Sequence, residues 1–445
     1  MDDGNNEFYN ISKTLWWGVI IVLISVIVGG ILLIGTYHLP TKLMFNNVKR
    51  SIPLYTKEGL YPNWAGRKDS ARLDNFTDAI MLSKVIYPVS KSKMKDALLN
   101  PSYNYKNRNP VQSLIEQLKE TKNFTIAYYP RYWHGYLVVL KPLTIFFDIA
   151  YIRLLNMLLQ MIIVIYLILL LGSTYGKGYA LSLFLSYLLL NPVSLSMSFQ
   201  YSTMFYVTSF VSLFLLNKMK LCMRDKNVLY LFLVSGILTA FFDLLTYPIA
   251  SLGIPLAIFL IALNHNHKLK ELNFAVKNVI LPTAFWGIGY AGMYVGKWLL
   301  AWQLTGFNVV ANALSQLTYR MSHHTNVHEG NKIFSPIKTI LNNFQVIFHE
   351  PILIVLVVAV VFSLYALWKL SKMMRSTKIH NYYILRCSLS IVMLYPLFWY
   401  SVFCNHSFQH SSFTYRALSV FVFAAGSIIT SLFLEYQREN VLDEK

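Results

Sequence analysis

The sequence predicts an all-α, polytopic membrane protein of about ten transmembrane helices, with both termini inside and one large extracytoplasmic loop between the first and second spans. Three observations predict it. Of 445 residues, 55% are hydrophobic and only 13% are charged, at a mean hydropathy of +0.45; water-soluble chains carry roughly 25% charged residues. About ten stretches approach the roughly 20 apolar residues that a helix needs to cross a hydrocarbon core. The short connections between them carry Lys and Arg almost entirely on one side, as cytoplasmic loops do. Together these exclude a soluble enzyme, a fibrous protein and a disordered chain.

Taken in order, the first span covers 15–35 and lacks a small-residue cleavage site after it, so it reads as a retained anchor and not a signal peptide. The others fall at 152–171, 179–195, 204–216, 229–247, 249–263, 279–302, 351–368, 387–403 and 417–434. Interruptions at Pro192, Pro248 and Pro351 suggest discontinuous helices lining a polar cavity, where unpaired backbone is tolerated at membrane depth. With the amino terminus inside, the inner loops hold Lys177, then Lys218, Lys220, Arg224 and Lys226, then Lys268, Lys270 and Lys277, and last Lys369, Lys372, Arg375, Lys378 and Arg386.

The chain thus divides into a tail and first helix (1–37), an extracytoplasmic loop (38–138), and a multi-span domain (139–445) with outer loops at 303–350 and 404–416. The first loop is basic, with 16 Lys or Arg against 7 Asp or Glu, but loops beyond about 60 residues translocate largely regardless of charge. Short amphipathic helices lying along the outer interface are expected in it, around 74–86 and 111–120. Its surplus of positive charge suits an anionic acceptor or anionic lipid headgroups equally well.

Several functional classes drop out. The net charge of +19 is assigned to the membrane protein's loops, and no nucleic-acid partner is expected. Cys222, Cys387 and Cys404 show neither a disulfide framework nor a zinc-site spacing. There is no phosphate-binding lysine loop and no Gly-x-Gly-x-x-Gly opening a helix, so the energy for a reaction on the outer face must arrive with the substrate. A lipid-phosphate-activated sugar, whose phosphate is the leaving group, meets that requirement.

Eight of the eleven histidines fall outside: His38, His134, His323, His324, His328, His349, His406 and His410. In the first loop, the run Ala71-Arg72-Leu73-Asp74-Asn75-Phe76-Thr77-Asp78 sets Asp74 and Asp78 on one face if it is helical. Such a pair can supply a general base and its partner, or ligate a divalent cation such as Mg or Mn; the plain alternative is two helix-start residues, with Asp74 as N-cap. The run Tyr128 to Tyr136 carries Arg131 and His134 among aromatics that an interfacial belt explains, whereas a guanidinium and an imidazole at headgroup depth can grip a phosphate. His406 and His410 lie one helical turn apart, without the glutamate of a zinc protease; sugar or phosphate binding, with Arg416 as a phosphate partner, is the better reading. Asp243 is expected near the outer end of its span, lining the cavity. Asp148 and Arg153 are expected to pair with each other, and His323, His324 and His328 form a surface cluster.

The layout, and the runs Arg131-Tyr132-Trp133-His134-Gly135-Tyr136, Phe241 to Pro248 and Asn405 to Arg416, resemble the GT-C class of polytopic glycosyltransferases. The resemblance covers the topology of nearly the whole chain. It implies a polyprenyl-phosphate sugar donor, an acidic base in the first outer loop and inversion at the anomeric carbon. Carried over, the base is Asp74 with Asp78 as partner or alternate; the residues read above as polar clusters, Arg72, Arg131, His134, Asp243, His406, His410 and Arg416, are the candidate substrate-binding set. This chain departs from the usual pattern in placing its acidic residue about 40 residues beyond the first span, and in lacking an adjacent Asp-Glu pair. The expected function is sugar transfer to a cell-wall polysaccharide, a teichoic-acid-like polymer or a lipid-linked glycan at the outer face of a bacterial plasma membrane, the source being suggested by richness in Lys, Asn, Ile and Tyr. The rival is a transporter or flippase of a lipid-linked glycan, since broken spans and an intramembrane aspartate suit a proton-coupled carrier as well.

Overall fold

The computed structural model describes residues 2–66, 69–88, 90–224, 226–324, 333–347 and 380–443. The protein is mostly helical. Among the described residues, six stretches are long and apolar enough to cross a membrane: Ile11–Thr36, Ile149–Tyr175, Phe199–Asn217, Leu272–Thr305, Tyr382–Val402 and Ser411–Gln437. Leu137–Phe146, Asn227–Phe242 and Ala250–His265 are shorter apolar helices. The expected span at 351–368, the inner-loop cations Lys369 to Lys378, and His328 and His349 lie outside the described residues.

In chain order the helices are α1 (Asp2–Thr36), α2 (Thr41–Glu58), α3 (Asn75–Val85), α4 (Lys93–Leu99), α5 (Pro110–Leu118), α6 (Leu137–Phe146), α7 (Ile149–Tyr175), α8 (Lys177–Leu189), α9 (Pro192–Met197), α10 (Phe199–Asn217), α11 (Met219–Cys222), α12 (Asn227–Phe242), α13 (Ala250–His265), α14 (Leu272–Thr305), α15 (Val309–Met321), α16 (Pro336–Gln345), α17 (His380–Met393), α18 (Tyr395–Val402), α19 (Cys404–Gln409), α20 (Ser411–Thr414) and α21 (Leu418–Asp443). A two-stranded sheet accompanies the helices. Strands β1 (Pro101–Tyr105) and β2 (Phe124–Tyr128) pair antiparallel, Pro101 opposite Tyr128 and Tyr105 opposite Phe124. Alternating tyrosines favour a strand there, and α5 fills the connection between the two.

The long helices run between two ends of one bundle. Tyr175, Asn217, Arg224 and His265 line one cleft, so α7, α10 and α13 finish together there. The starts of α3 and α10 meet Leu244 of the turn after α12, the end of α15, and residues of α19 and α20 at the other end, the site end. One side of α1 (Trp16, Ile24, Ile31) and of α7 (Leu154, Leu158, Ile162) is exposed apolar surface, as for helices that face lipid. Helix packing within the bundle is close: a Cβ on Gly236 of α12 would sit 2.1 Å from the Trp286 carbonyl oxygen, and one on Gly289 of α14 equally near that of Leu233. Paired glycines let these two backbones touch, the usual device for apolar helices that have no hydrophobic drive to associate.

Of the two helices expected in the first loop, one changes character. The segment expected at 74–86 is not an amphipathic surface helix: α3 is buried over Asp78, Ala79 and Met81 to Val85, because α2, α5 and the bundle enclose it. The amphipathic helix lies earlier, in α2, which buries Met44, Asn47, Val48, Ser51 and Tyr55 at helical spacing. α5 matches the other expected helix, with a capping box between Asn109 and Gln112 and buried Val111, Leu114 and Leu118.

Candidate functional site

A cavity of about 640 Å³ opens at the site end, and one face of α3 forms its wall. Asp74, Thr77, Met81 and Lys84 follow at helical spacing along that wall. Ten residues separate Asp74 from Lys84, roughly 15 Å of helix rise. β1 contributes Ser102 and Asn104, and α15, α19 and the residue before α20 bring Arg320, His406 and His410 to the lining.

Asp74 is the N-cap of α3. Its carboxylate accepts from the Thr77 backbone N–H at 2.9 Å and from the Thr77 hydroxyl at 2.8 Å, and the Gln200 amide also donates to it. Burial pushes the carboxyl above the usual aspartate value; the Thr77 bonds and the guanidiniums of Arg72 and Arg416 pull the other way. Arg72 lies beside it in the lining, donating to the Ser412 hydroxyl with its Cζ 4.8 Å from the Tyr61 ring centre. The Asp74 end therefore holds both signs of charge.

The Lys84 end does not. Lys84 is fully buried and donates to the Asn100 carbonyl, with its Nζ 5.8 Å from the centre of the Tyr129 ring. Among the described residues, no carboxylate pairs with it, and burial lowers its pKa to about 7. Arg320 donates from Nη1 to His406 Nδ1 at 2.9 Å, and it too has no carboxylate within ion-pair distance among the described residues. A buried ammonium and a guanidinium line one cavity with no carboxylate paired to either among the described residues, an arrangement that can hold an anion.

His134 and His406 serve this arrangement as neutral imidazoles. His134 Nε2–H donates to the Tyr129 carbonyl at 2.9 Å, and Nδ1 accepts from the Tyr136 hydroxyl at 3.1 Å. Burial first, then the Lys84 charge, holds its pKa well below the usual histidine value. His406 Nε2–H donates to the Leu245 carbonyl at 2.7 Å, and burial with the Arg320 charge lowers its pKa likewise. His410 lines the same cavity, its ring centre 4.8 Å from that of His406.

Other candidates are placed behind the lining. Asp78 accepts from the Phe199 N–H at 3.0 Å and lies 3.8 Å from Arg153 Nη2, fully buried. Burial raises its pKa well above the ordinary value, with Arg153 opposing. Arg153 grips both oxygens of Glu58 at 2.9 and 3.0 Å, and Asn75 at 2.7 Å, so it does not pair with Asp148, which instead caps its own helix α7. Arg131 donates to Asn312 at 3.3 Å and stacks over Tyr129, supporting the cavity from outside. Arg416 is fully buried, bonded to the Leu190 and Ser412 carbonyls and 3.9 Å from the Tyr201 ring centre. Asp243 does not line the cavity: it accepts from Thr246 N–H and hydroxyl, building the turn in which Leu245 adopts φ +66° and offers its carbonyl to His406. His323 and His324 also lie outside the lining; the His324 carbonyl accepts from Asn405 at 2.5 Å.

Sequence reasoning missed Lys84, Gln200 and Arg320. Each lies within a helix at an ordinary spacing, and only the fold brings residues 84 and 320 to one cavity. No group of three or more His, Cys, Asp or Glu residues placed to hold a metal occurs among the described residues. The chain matches no family model, no curated protein and no solved structure.

Proposed function

We propose that the protein is an inverting glycosyltransferase of the GT-C type, which moves a sugar from a polyprenyl-phosphate donor to an acceptor hydroxyl at the outer face of a bacterial plasma membrane. The acceptor class is a cell-wall polysaccharide, a teichoic-acid-like polymer or a lipid-linked glycan. In this reading about ten spans cross the bilayer with both termini inside, and the site end faces out.

One observation carries it: among the described residues, the cavity at the end of a membrane-type bundle is lined by a single carboxylate, Asp74, at one end of the α3 wall, with Lys84 and Arg320, which have no carboxylate partner, toward the other. Inverting transfer from a sugar phosphate needs that polarity. Asp74 takes the proton of the acceptor hydroxyl as its oxygen bonds to the anomeric carbon. The bond from that carbon to the phosphate oxygen breaks, and the lipid phosphate leaves with the electron pair. Lys84 and Arg320 stabilise the charge that develops on it, and neutral His406 and His134 hold Arg320 and the Tyr129 segment in place. Arg72 orients Asp74. A divalent cation is not required by this scheme, and Lys84 and Arg320 occupy the role that Mg or Mn would take on the phosphate.

The test is sugar transfer by the purified full chain from a panel of polyprenyl-phosphate sugars, with acceptor fractions and with or without divalent cation. Lipid phosphate released in step with sugar transferred, and lost in Lys84→Met, is the expected result. A folded protein that turns over no donor, yet moves a fluorescent lipid-linked glycan across liposomes, would replace this reading with the transporter.

A further inference from the structure

Four of the 16 Lys and Arg of the first loop lie on one helix that the cavity does not use. α2 begins five residues after α1 ends and exposes Lys42, Lys49, Arg50 and Lys57. Its one acidic residue, Glu58, is held by Arg153. The helix runs along the end of the bundle. At its start it follows the last turn of α1, where the Thr36 carbonyl accepts from Lys141 of α6. At its middle Asn47 donates to the Thr144 and Ile145 carbonyls at 2.9 and 3.0 Å, and the Ser51 hydroxyl accepts from the first N–H of α7 at 3.0 Å. At its far end Glu58 meets Arg153, in the second turn of α7. A helix about 27 Å long that touches the same end of two spanning helices lies close to the membrane plane, at headgroup depth.

Its neighbours have the character of that layer. Phe146 is 73% exposed and Tyr151 is 61% exposed. Phe147, packed against Phe146, is exposed as well, and so is Leu43 on α2 itself. Aromatics beside cations on a surface helix are the pattern of an interfacial anchor.

We infer that α2 is a docking surface for anionic lipid, with Lys42, Lys49, Arg50 and Lys57 bonding headgroup phosphates of the leaflet at the site end while Phe146, Phe147 and Tyr151 enter its acyl boundary. The exposed aromatic flank selects lipid over a soluble polyanion, which has no apolar part to cover it. The inference stands apart from the transfer reading, since none of these residues lines the cavity.

The test uses the full chain in nanodiscs, with native mass spectrometry counting retained phosphatidylglycerol against phosphatidylcholine, and compares the native protein with the fourfold variant Lys42→Gln, Lys49→Gln, Arg50→Gln, Lys57→Gln. All four positions are exposed, so the fold is retained, and circular dichroism checks it. The native chain is expected to prefer phosphatidylglycerol by about tenfold or more, falling near unity in the variant and in high salt. Equal retention of both lipids by the native chain, or an undiminished preference in the variant, overturns it. So does a native chain that shows no lipid preference but binds soluble polyphosphate through these four residues, a result that would assign the face to an anionic polymer.

Discussion

At Asp74 burial raises the carboxyl while Thr77 and Arg72 draw it back, and at Lys84 burial lowers the ammonium to about 7. The two titrations set the expected pH dependence. kcat/KM rises with pH through the Asp74 value, which lies above the ordinary 3.8, and falls as Lys84 loses its proton near pH 7. A bound phosphate favours the charged lysine, so the falling limb of kcat lies at higher pH than that of kcat/KM. Lys84→Met, close in volume, is expected to remove the falling limb and reduce kcat by about 10²–10³. The same lysine has a stability signature. Its folded pKa lies below the ordinary lysine value of 10.5, so the unfolded chain binds more protons between about pH 7 and 10.5. Stability therefore rises with pH across that window, and Lys84→Met flattens the rise in thermal denaturation.

Among the elements, α3 matters most, because it carries both the cavity wall and the anchor behind it. Glu58 of α2, Asn75 and Asp78 of α3 and Arg153 of α7 meet in one buried cluster. Arg153→Ala leaves two carboxylates without their cation, and is expected to lower unfolding stability by about 3–5 kcal/mol, read as a fall in Tm in detergent. Glu58→Gln, which keeps a hydrogen-bonding partner for Arg153, is expected to lower Tm less. How far this element could be read in advance follows from its chemistry. The Asp-x-x-Thr start shows the cap in sequence, and Asp74 and Asp78 are one turn apart, as expected. Their different fates are not legible, because residues 198–200 and 153, far away in the chain, bury one carboxylate and leave the other on the cavity. α2 was hidden for a related reason: its amphipathic face is short and polar, and only its contacts with α6 and α7 give it a place.

For the whole molecule, apolar length located most of the spanning helices, since α1, α7, α10, α14 and α21 each coincide with a stretch of the required hydropathy. The break between α8 and α9 falls where Pro192 interrupts the apolar stretch, as expected, and Asn191, which adopts φ +57° and accepts from Trp64, places a loop at the site end there; its partner Trp64, far away in the chain, is not legible in the sequence. The proposed sidedness has a direct check. In a background without native cysteines, Lys93→Cys at the site end is expected to react with a membrane-impermeant thiol reagent in intact cells, and Lys220→Cys at the opposite end only after permeabilisation. The reverse labelling would put the cavity inside. The central claim is that Asp74 is the base and Asp78 its buried neighbour in a structural anchor. It is tested most directly by comparing lipid-phosphate release from the donor in Asp74→Asn and Asp78→Asn, each normalised to folded protein. The account expects Asp74→Asn, with an isosteric cap, to keep its Tm and lose at least about 10² in turnover, while Asp78→Asn loses stability and retains turnover per folded molecule. Unchanged release in Asp74→Asn, or loss confined to Asp78→Asn, would contradict it.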